Sequence, residues 1–392
     1  MANLLLFGDT ERSAAMRHEV PISIIDPFLF AEVDGRRVVL TTILERERIA
    51  AALPGAELLD LFALGFKRLI EEGRSREEAL REVVALAVGQ IGLRDALVPG
   101  DFPLAVADRL RADGVALTVD DEAVGARRRA KAGAELDGIR AAQHAAEAGM
   151  AAAAALLARA EPGPQGRLYL DGAELHAEHV RAALRSACAA QDAPCPPGVI
   201  VASVWNGSGH EAGSGPLPAG LPIQVDLWPR HEESGCWADM TRTFVVGDPA
   251  PRAPTAEGGW SDGELVVAQE GLVRAALEEA RAAIRPGVTG RALYDAACER
   301  FEAAGHPTQR TAPGEDASDG FQFALGHGVG LEVHEDPVLG LAGGDPLVPG
   351  DVLALEPSLW DRRIGGVRFE DLVLVTEDGC ETLTRYPYEL AP

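Results

Sequence analysis

Two histidines in the segment ALGHGVGLEVHEDP, residues 324–337, are the first residues whose types suggest chemistry. His327 and His334 lie seven positions apart among three glycines. Imidazoles bind metal ions and exchange protons near neutral pH, so this segment indicates a metal ligand, a catalytic group or both. Closely spaced glycines can also form a phosphate-binding loop, but the residues that follow, LEVHEDP, do not begin a helix as such a loop requires.

Carboxylates in apolar surroundings are the second signal. Asp226 in IQVDLW, Glu356 in VLALEP and Glu370 in VRFEDLVLV each lie in or at the end of an apolar strand pattern. A buried carboxylate without a partner is costly, so buried carboxylates are paired or bound to metal. One such residue could reach solvent from a strand end. Three of them in one half of the chain, together with Asp239 in ADMTRT and His327, indicate a metal centre.

Four carboxylates and one imidazole suit divalent ions that accept oxygen ligands. Mn, Co, Zn and Fe all fit such a set, and the residue types do not choose among them. Four negative charges balance two such ions, and a pair of ions ~3.5–4 Å apart activates water and polarises a carbonyl group. The chain has neither a zinc-type cysteine set nor a His-Glu-x-x-His motif. The residue types therefore predict a site for two divalent metal ions.

Strands and helices of the C-terminal part must position these residues. Apolar, β-branched segments predict strands over 197–207, 221–229, 240–247, 351–360 and 365–379. Helical spacing predicts helices over 261–287 and 289–305.

The N-terminal part mixes short strands and helices and contains no cluster of metal-binding residue types. The patterns predict a strand over 36–43 and helices over 58–73 and 75–92, the last with a Ser75/Glu78 capping box. An alanine-rich stretch predicts one long helix over 125–161, with the domain boundary near 125–132.

Composition and charge limit the class of protein. The chain has 392 residues, a net charge of −25 and a pI of about 4.7. Such an acidic chain disfavours nucleic acid and anionic membranes as partners, because both attract basic surfaces. The sequence shows no transmembrane or signal-like segment, and its five scattered cysteines do not suggest a disulfide framework. We expect a cytoplasmic protein with neither a membrane segment nor a nucleic-acid partner.

Several motifs resemble those of the pita-bread metallopeptidases, family M24, and of their aminopeptidase P and prolidase branch in particular. The motifs are ADMTRTF, HGVGLEVHEDP, LALEPSLW and VRFEDLVLVT, and the likeness covers about residues 130–385. It implies an α+β protein in which a smaller creatinase/prolidase-type α/β domain, residues 1–128, precedes a pita-bread catalytic domain, residues 129–392.

The resemblance implies a metal-binding role for five residues. Asp226 would hold one ion, His327 and Glu356 would hold the other, and Asp239 and Glu370 would bridge both.

Four residues have catalytic roles implied by the same resemblance. Glu356 would also move protons at the attacking water, and His334 would donate a hydrogen bond to the developing oxyanion instead of binding metal. His210 in NGSGHEAG matches a substrate-contacting histidine, although Glu211 follows it where the family often has an aromatic residue. Arg368 matches a basic residue that orients the last ligand or an acidic neighbour.

Two further histidines receive no implied role. His231 lies in the segment between the two aspartates, which is longer and more polar than the family's usual spacing, and it is predicted to be a loop residue. His306 is predicted to be a turn residue after the second of the two C-terminal helices.

The leading functional prediction is a dinuclear metal-dependent Xaa-Pro aminopeptidase, which removes residues that precede proline at peptide N-termini. The alternatives are an Xaa-Pro dipeptidase (prolidase), a hydrolase of another C–N bond, and a non-catalytic pita-bread module that binds peptides. Creatinase-like enzymes and the non-catalytic relatives lose metal ligands, whereas all five ligand types are present here. The implied partners are a proline-containing peptide substrate and further copies of the chain in a homodimer or higher homo-oligomer.

Overall fold

The computed structural model describes residues 2–131, 133–207, 210–248, 262–312 and 319–392. The chain divides into two compact units: Met1–Arg128 with Glu233–Gly235, and Arg129–Glu232 with Cys236–Pro392. Among the described residues, no helix is both long enough and apolar enough to cross a bilayer.

The N-terminal unit is built on a six-stranded mixed sheet with the order β4-β3-β2-β1-β5-β6. Its strands are β1 (Leu4–Gly8), β2 (Phe28–Val33), β3 (Arg36–Thr41), β4 (Glu57–Asp60), β5 (Asp95–Val98) and β6 (Ala116–Val119). Its helices are α1 (Ala14–Glu19), α2 (Ile43–Ala52), α3 (Phe66–Glu71), α4 (Arg76–Gln90), α5 (Leu104–Ala112) and α6 (Asp121–Arg129).

Both faces of this sheet are apolar and covered. Successive side chains of a strand point to opposite faces, so β1 supplies Leu5 to one core and Leu4 and Leu6 to the other. Val83 from α4 packs in the core with Leu5, and Met16 from α1 packs in the core with Leu4 and Leu6. The sheet is therefore the middle layer of the unit.

The predicted helix over 58–73 is wrong in its first part. Residues Glu57–Asp60 form β4, which pairs in parallel with β3, and α3 begins only at Phe66 after Gly65 at φ 95°. A short apolar run fits a strand as well as a helix, and pairing with β3 decides between them. The helix predicted over 75–92 is confirmed as α4, with the Ser75–Glu78 capping box formed.

The single long helix predicted over 125–161 is also wrong, because the chain forms α6 and then α7 (Ala134–Leu157). Gly133, directly before α7, has a φ of 53°, a backbone conformation that interrupts a right-handed helix. Small residues on α7 allow close packing against the next helix. A Cβ atom at Gly149 would lie 2.4 Å from Cys188 Sγ.

The second unit contains four sheets and four long helices among its described residues. The helices are α7, α8 (Ala177–Ala189), α9 (Asp262–Ala283) and α10 (Gly290–Ala303). The strands are β7 (Glu161–Pro162), β8 (Leu168–Leu170), β9 (Ala173–Glu174), β10 (Ile200–Ala202), β11 (Ile223–Leu227), β12 (Met240–Phe244), β13 (Gly326–Gly328), β14 (Glu335–Leu339), β15 (Val352–Leu355), β16 (Ser358–Asp361), β17 (Gly365–Arg368), β18 (Asp371–Val375) and β19 (Cys380–Thr382).

Two of these sheets carry the candidate ligands. Their orders are β10-β11-β12 and β14-β13-β15-β18-β19, while β16-β17 and β7-β8-β9 form smaller sheets. The strand predicted over 351–360 is interrupted at Glu356 and Pro357, and the strand predicted over 365–379 is interrupted at Glu370. Glu356 and Glu370 therefore lie outside regular strands, where side chains need not point alternately to the two faces of the sheet.

Candidate metal centre

The antiparallel pair β11 and β12 brings the two aspartates together. Asp226 on β11 pairs directly with Thr241 on β12, and Asp239 precedes Thr241 by two residues. Residues two apart on a strand face the same side, so Asp239 and Thr241 both approach Asp226. Asp226 and Asp239 are each 5% exposed, which removes their carboxylates from bulk water.

The five-stranded sheet supplies the other three candidate ligands. His327 on β13 pairs with Ala354 on β15, two residues before Glu356. Leu355 pairs with Asp371, so Glu356 and Glu370 are the adjacent residues just beyond this pair. The Glu370 amide donates to the Thr241 carbonyl oxygen (3.1 Å), and the Thr241 hydroxyl donates to Glu370 Oε2 (2.7 Å). These two bonds tie the sheets together at the site.

The five predicted ligands lie in two overlapping groups. Asp226, Asp239 and Glu370 form one group, and His327, Glu356 and Glu370 form the other; within each group the possible ligand atoms lie within 4.8 Å of one another. Glu370 belongs to both groups, as expected for a residue between two ions. The two groups therefore define two adjacent positions that a cation could occupy.

Arg368 is the buried cation of this centre. Its Nη1 atom lies 3.1 Å from Asp226 Oδ2 and 3.4 Å from Glu356 Oε2. Its guanidinium carbon lies 4.7 Å from the centre of the Phe323 ring. Burial opposes the charged form of Arg368, but the carboxylates of Glu356 and Asp226 outweigh burial and raise its pKa. Arg368 thus orients one carboxylate from each group.

Without metal ions, burial disfavours ionisation of the four carboxylic acids. Burial, and then the charge of Glu370, raises the pKa of Asp226 to about 7 against the opposing effect of Arg368. Burial raises the pKa of Glu356 to about 7, and burial with the charge of Glu356 raises the pKa of Glu370 to about 8. Burial and the neighbouring carboxylates also raise the pKa of Asp239 well above its usual value. One guanidinium does not neutralise this cluster.

The surroundings of His327 favour a neutral imidazole with a free lone pair on Nε2. Its Nδ1 atom lies 3.1 Å from the carbonyl oxygen of Gly328, so Nδ1–H donates and Nε2 keeps its lone pair. Nε2 faces the cluster, 3.6 Å from Glu356 Oε1 and 3.8 Å from Asp239 Oδ2. Burial lowers the pKa of His327 to about 4, which keeps the imidazole neutral at physiological pH.

The donor set therefore fits divalent metal ions. When ionised, these four carboxylates carry more negative charge than Arg368 can offset, and the neutral Nε2 atom of His327 points among them. Oxygen-rich sites with one imidazole accept Mn, Co, Zn or Fe. Bound cations would favour the ionised carboxylates that burial alone disfavours.

Metal binding to this centre should depend strongly on pH. Because the pKa values of Asp226, Glu356 and Glu370 are raised to about 7 or 8 without metal, cations must displace protons from these groups. We expect the affinity for Mn²⁺ to rise as the pH increases from about 6 to about 8, with protons released on binding. Isothermal titration in buffers of different ionisation enthalpy measures this release. An affinity independent of pH would show that the carboxylates are already ionised.

His334 and His210 lie at the edge of the cluster. The ring centres of His334 and His327 are 4.2 Å apart, and His334 also forms a group with Asp239 and His327 whose atoms lie within 4.8 Å. His210 stacks edge-on against Phe323, with ring centres 5.8 Å apart. Both histidines therefore lie near the site. His334 is also close enough to Asp239 for the two to share a metal ion, and a His334→Ala variant tests whether they do.

The two unassigned histidines lie outside helices and strands. His231 lies between β11 and β12, where its amide donates to the Cys236 carbonyl oxygen (2.9 Å). His306 lies beyond α10, and its amide donates to the Phe301 carbonyl oxygen (3.0 Å).

The glycines beside His327 lie where the backbones of neighbouring strands approach closely. A Cβ atom at Gly326 would lie 1.9 Å from the Ala354 carbonyl oxygen, and one at Gly328 would lie 2.3 Å from the Asp336 carbonyl oxygen. Both distances are too short for any side chain. These glycines allow the strands on either side of β13 to approach closely.

Sequence reasoning missed Phe323 and Thr241. Thr241 could have been found from its spacing, because it lies two residues after Asp239 and residues two apart in extended backbone face the same side. Phe323 carries no such signal: its ring contacts Arg368 and His210, which are distant in sequence.

A family model described as metallopeptidase family M24 matches residues 137–377, a range within the second unit. Because this match spans more than half of the chain, the chain belongs to metallopeptidase family M24. The predicted family and the M24 enzyme type are thereby confirmed. The creatinase-type identity of residues 1–128 stays a prediction.

Comparison with individual proteins adds detail on sequence and fold. An Xaa-Pro dipeptidase of Pyrococcus furiosus is 36% identical over 154 residues, which are 39% of this chain and 37% of that relative, so just over a third of the relative's length is matched. The prolidase of Pyrococcus horikoshii OT3 has a TM-score of 0.74 at 21% identity and covers 100% of this chain and 95% of its own. The X-Pro aminopeptidase of Thermotoga maritima MSB8 has a TM-score of 0.76 at 19% identity, with coverage of 99% and 97%. These structural similarities confirm the predicted α+β pita-bread fold.

Proposed function

We propose that this chain is a metal-dependent Xaa-Pro dipeptidase. The observation that carries this proposal is the pair of ligand groups that share Glu370. The dipeptidase name of the relative with 36% identity supports this activity better than the aminopeptidase activity predicted first. Xaa-Pro aminopeptidase is the second candidate, because a structure with that name has a similar fold.

The proposed roles follow from the arrangement of the centre. Asp226 would hold one ion and His327 with Glu356 the other, while Asp239 and Glu370 would contact both. When bound, the ions would supply positive charge that polarises the scissile carbonyl and activates water at neutral pH. Mn is our first candidate, as the oxygen-rich donor set permits.

The protein's own groups would then handle protons and orientation. Glu356 accepts a proton from the attacking water and passes it to the leaving proline nitrogen. Arg368 holds the Glu356 and Asp226 carboxylates in place through its Nη1 atom. His334 donates a hydrogen bond to the oxygen that gains negative charge.

His210 and Phe323 are suited to contact the substrate. The Phe323 ring is half-buried beside Arg368 and supports the edge of the His210 imidazole. A proline ring offers a compact apolar face without a backbone N–H group, so an aromatic wall suits it better than a row of hydrogen-bond acceptors. We assign His210 to binding of a polar substrate group next to this wall.

A panel of peptides tests the proposal. After reconstitution with Mn²⁺, Co²⁺, Zn²⁺ or Fe²⁺, we expect the chain to hydrolyse Gly-Pro at least ~10-fold faster than Gly-Pro-Gly, since one selective contact with the free carboxylate contributes at least ~1.4 kcal/mol. Faster cleavage of the tripeptide would identify an aminopeptidase instead.

Two controls complete this experiment. Exhaustive chelation should abolish hydrolysis and re-added metal should restore it; undiminished activity after chelation would contradict a metal mechanism. Binding of less than one ion per chain, without hydrolysis in any of the four metals, would favour the non-catalytic module. The cytoplasmic location and the homo-oligomer remain predictions from sequence.

A further inference from the structure

We propose that Lys131 is a positioning residue for His334 and acts through Glu335. Lys131 lies about two hundred positions before His334 in the sequence. The inference rests on the proposed function, because it takes His334 as the group that donates to the oxyanion.

The Lys131 ammonium and the Glu335 carboxylate form a buried ion pair. Their side chains are 2% and 4% exposed. Glu335 is the residue directly after His334 and the first residue of β14. Its carboxylate also accepts the Glu332 amide (3.3 Å), so it closes the turn that presents His334. An ion pair in this position fixes the backbone on one side of the imidazole.

Gly330 shows how tightly this turn is packed. A Cβ atom there would lie 2.6 Å from Glu335 Oε1 and 2.7 Å from Lys131 Cε. The backbone at Gly330 therefore lies against both members of the ion pair, and any larger residue would push them away.

Trp237 holds the same turn from another segment. Its amide donates to the Gly330 carbonyl oxygen (2.8 Å), and its Nε1–H donates to the Leu331 carbonyl oxygen (3.2 Å). Trp237 precedes Asp239 by two residues, so these bonds connect the turn to the segment before β12 that carries a proposed metal ligand. Lys131 and Trp237 thus fix the turn at Glu335 and at residues 330–331.

The His334 side chain depends on this support. It is exposed, and within the described residues its ring contacts His327 but has no hydrogen-bond partner of its own. The backbone must therefore set the position of the imidazole. Removing the Lys131 charge would break this buried ion pair, which is costly, and opening of the turn around Glu335 would relieve part of that cost.

The test compares Lys131→Met with a matched variant of the same segment. Arg129→Met breaks a second ion pair of the same segment, in which Arg129 Nε and Nη2 lie 3.0 and 2.6 Å from the two oxygens of Asp351, a residue outside the segment 330–335. We expect Lys131→Met to lower kcat by ~10–100-fold, the effect of a catalytic group misplaced by about 1 Å. KM and metal content should stay close to those of the unmodified chain. Arg129→Met should keep kcat, and Lys131→Arg should restore most of it.

Two further measurements separate positioning from general loss of structure. Hydrogen exchange of amides 329–335 should become faster in Lys131→Met but not in Arg129→Met. In a His334→Ala background, Lys131→Met should lower kcat no further. Equal losses of kcat in Lys131→Met and Arg129→Met, unchanged exchange, or a full additional loss in the His334→Ala background would each overturn the inference.

Failure of the proposed function would give a different pattern. In that case the unmodified chain would hydrolyse no Xaa-Pro peptide with any metal, while the exchange comparison would still report whether Lys131 holds the turn. If Lys131→Met does not fold, Glu335→Gln removes the same ion pair with a smaller change of shape and should give the same faster exchange; normal exchange in that variant would contradict the inference.

Discussion

A Glu370→Gln variant is expected to lose metal from both positions and, with it, peptide hydrolysis. Glu370 is 1% exposed and is the residue shared by the two ligand groups. Glutamine preserves the shape but removes the charge and one anionic oxygen donor. We expect metal affinity to fall by more than the ~10–100-fold that loss of an outer-shell partner causes. Activity should fall by at least ~10³-fold, because several kcal/mol of charge stabilisation is removed.

Metal analysis after dialysis and Gly-Pro hydrolysis measure the two effects of Glu370→Gln. Asp351→Asn is the matched control, because Asp351 is also fully buried in the second unit but pairs with Arg129. It should keep both metals and activity. If Glu370→Gln retained two ions per chain, the shared position of Glu370 would not reflect metal binding.

A His334→Ala variant is expected to keep its metals and lose most of its activity. His334 is the imidazole that the resemblance assigns to the oxyanion, and removal of one such donor lowers kcat by ~10²–10³-fold. KM should change little, because the hydrogen bond strengthens mainly in the transition state. Metal content and steady-state kinetics on the same preparation measure both quantities.

Loss of a metal ion in His334→Ala would be the opposite result, and the geometry of the cluster makes it informative. Asp239, His327 and His334 have possible ligand atoms within 4.8 Å of one another, which is the geometry of a metal site with two imidazoles. Loss of one ion in His334→Ala would assign His334 to the ligands. His144→Ala, on the exposed face of α7, is a suitable control and should alter neither metal content nor kcat.

The candidate site was more predictable from sequence than parts of the fold. A single carboxylate in an apolar strand can reach solvent, but three in one half of the chain are unusual, so residue type and strand pattern together select Asp226, Glu356 and Glu370 as candidates. The groups that support them carry no such signal. The contacts between Lys131 and Glu335, and between Phe323 and Arg368, join distant segments whose pairing depends on the folded sheets.

The errors in the fold have a related cause. Residues 58–60 are predicted to be helical because a short apolar run fits both periodicities, and pairing with the edge of β3 makes them a strand. The break between α6 and α7 depends on the backbone at Gly133, and the alanine-rich flanks favour a continuous helix. Local propensity was thus sufficient for α4, which has its own capping box, but not for segments decided by their neighbours.

The packing of Gly326 and Gly328 gives both glycines a structural reason to be retained in related sequences, apart from catalysis. Each glycine lies where a single methyl group would collide with a neighbouring backbone carbonyl group. Selection for a stable sheet would therefore preserve them even in a descendant that had abandoned catalysis. Invariance of Gly326 and Gly328 would record the survival of the architecture, whereas loss of the imidazole at His327 between the two retained glycines would mark the loss of the enzyme.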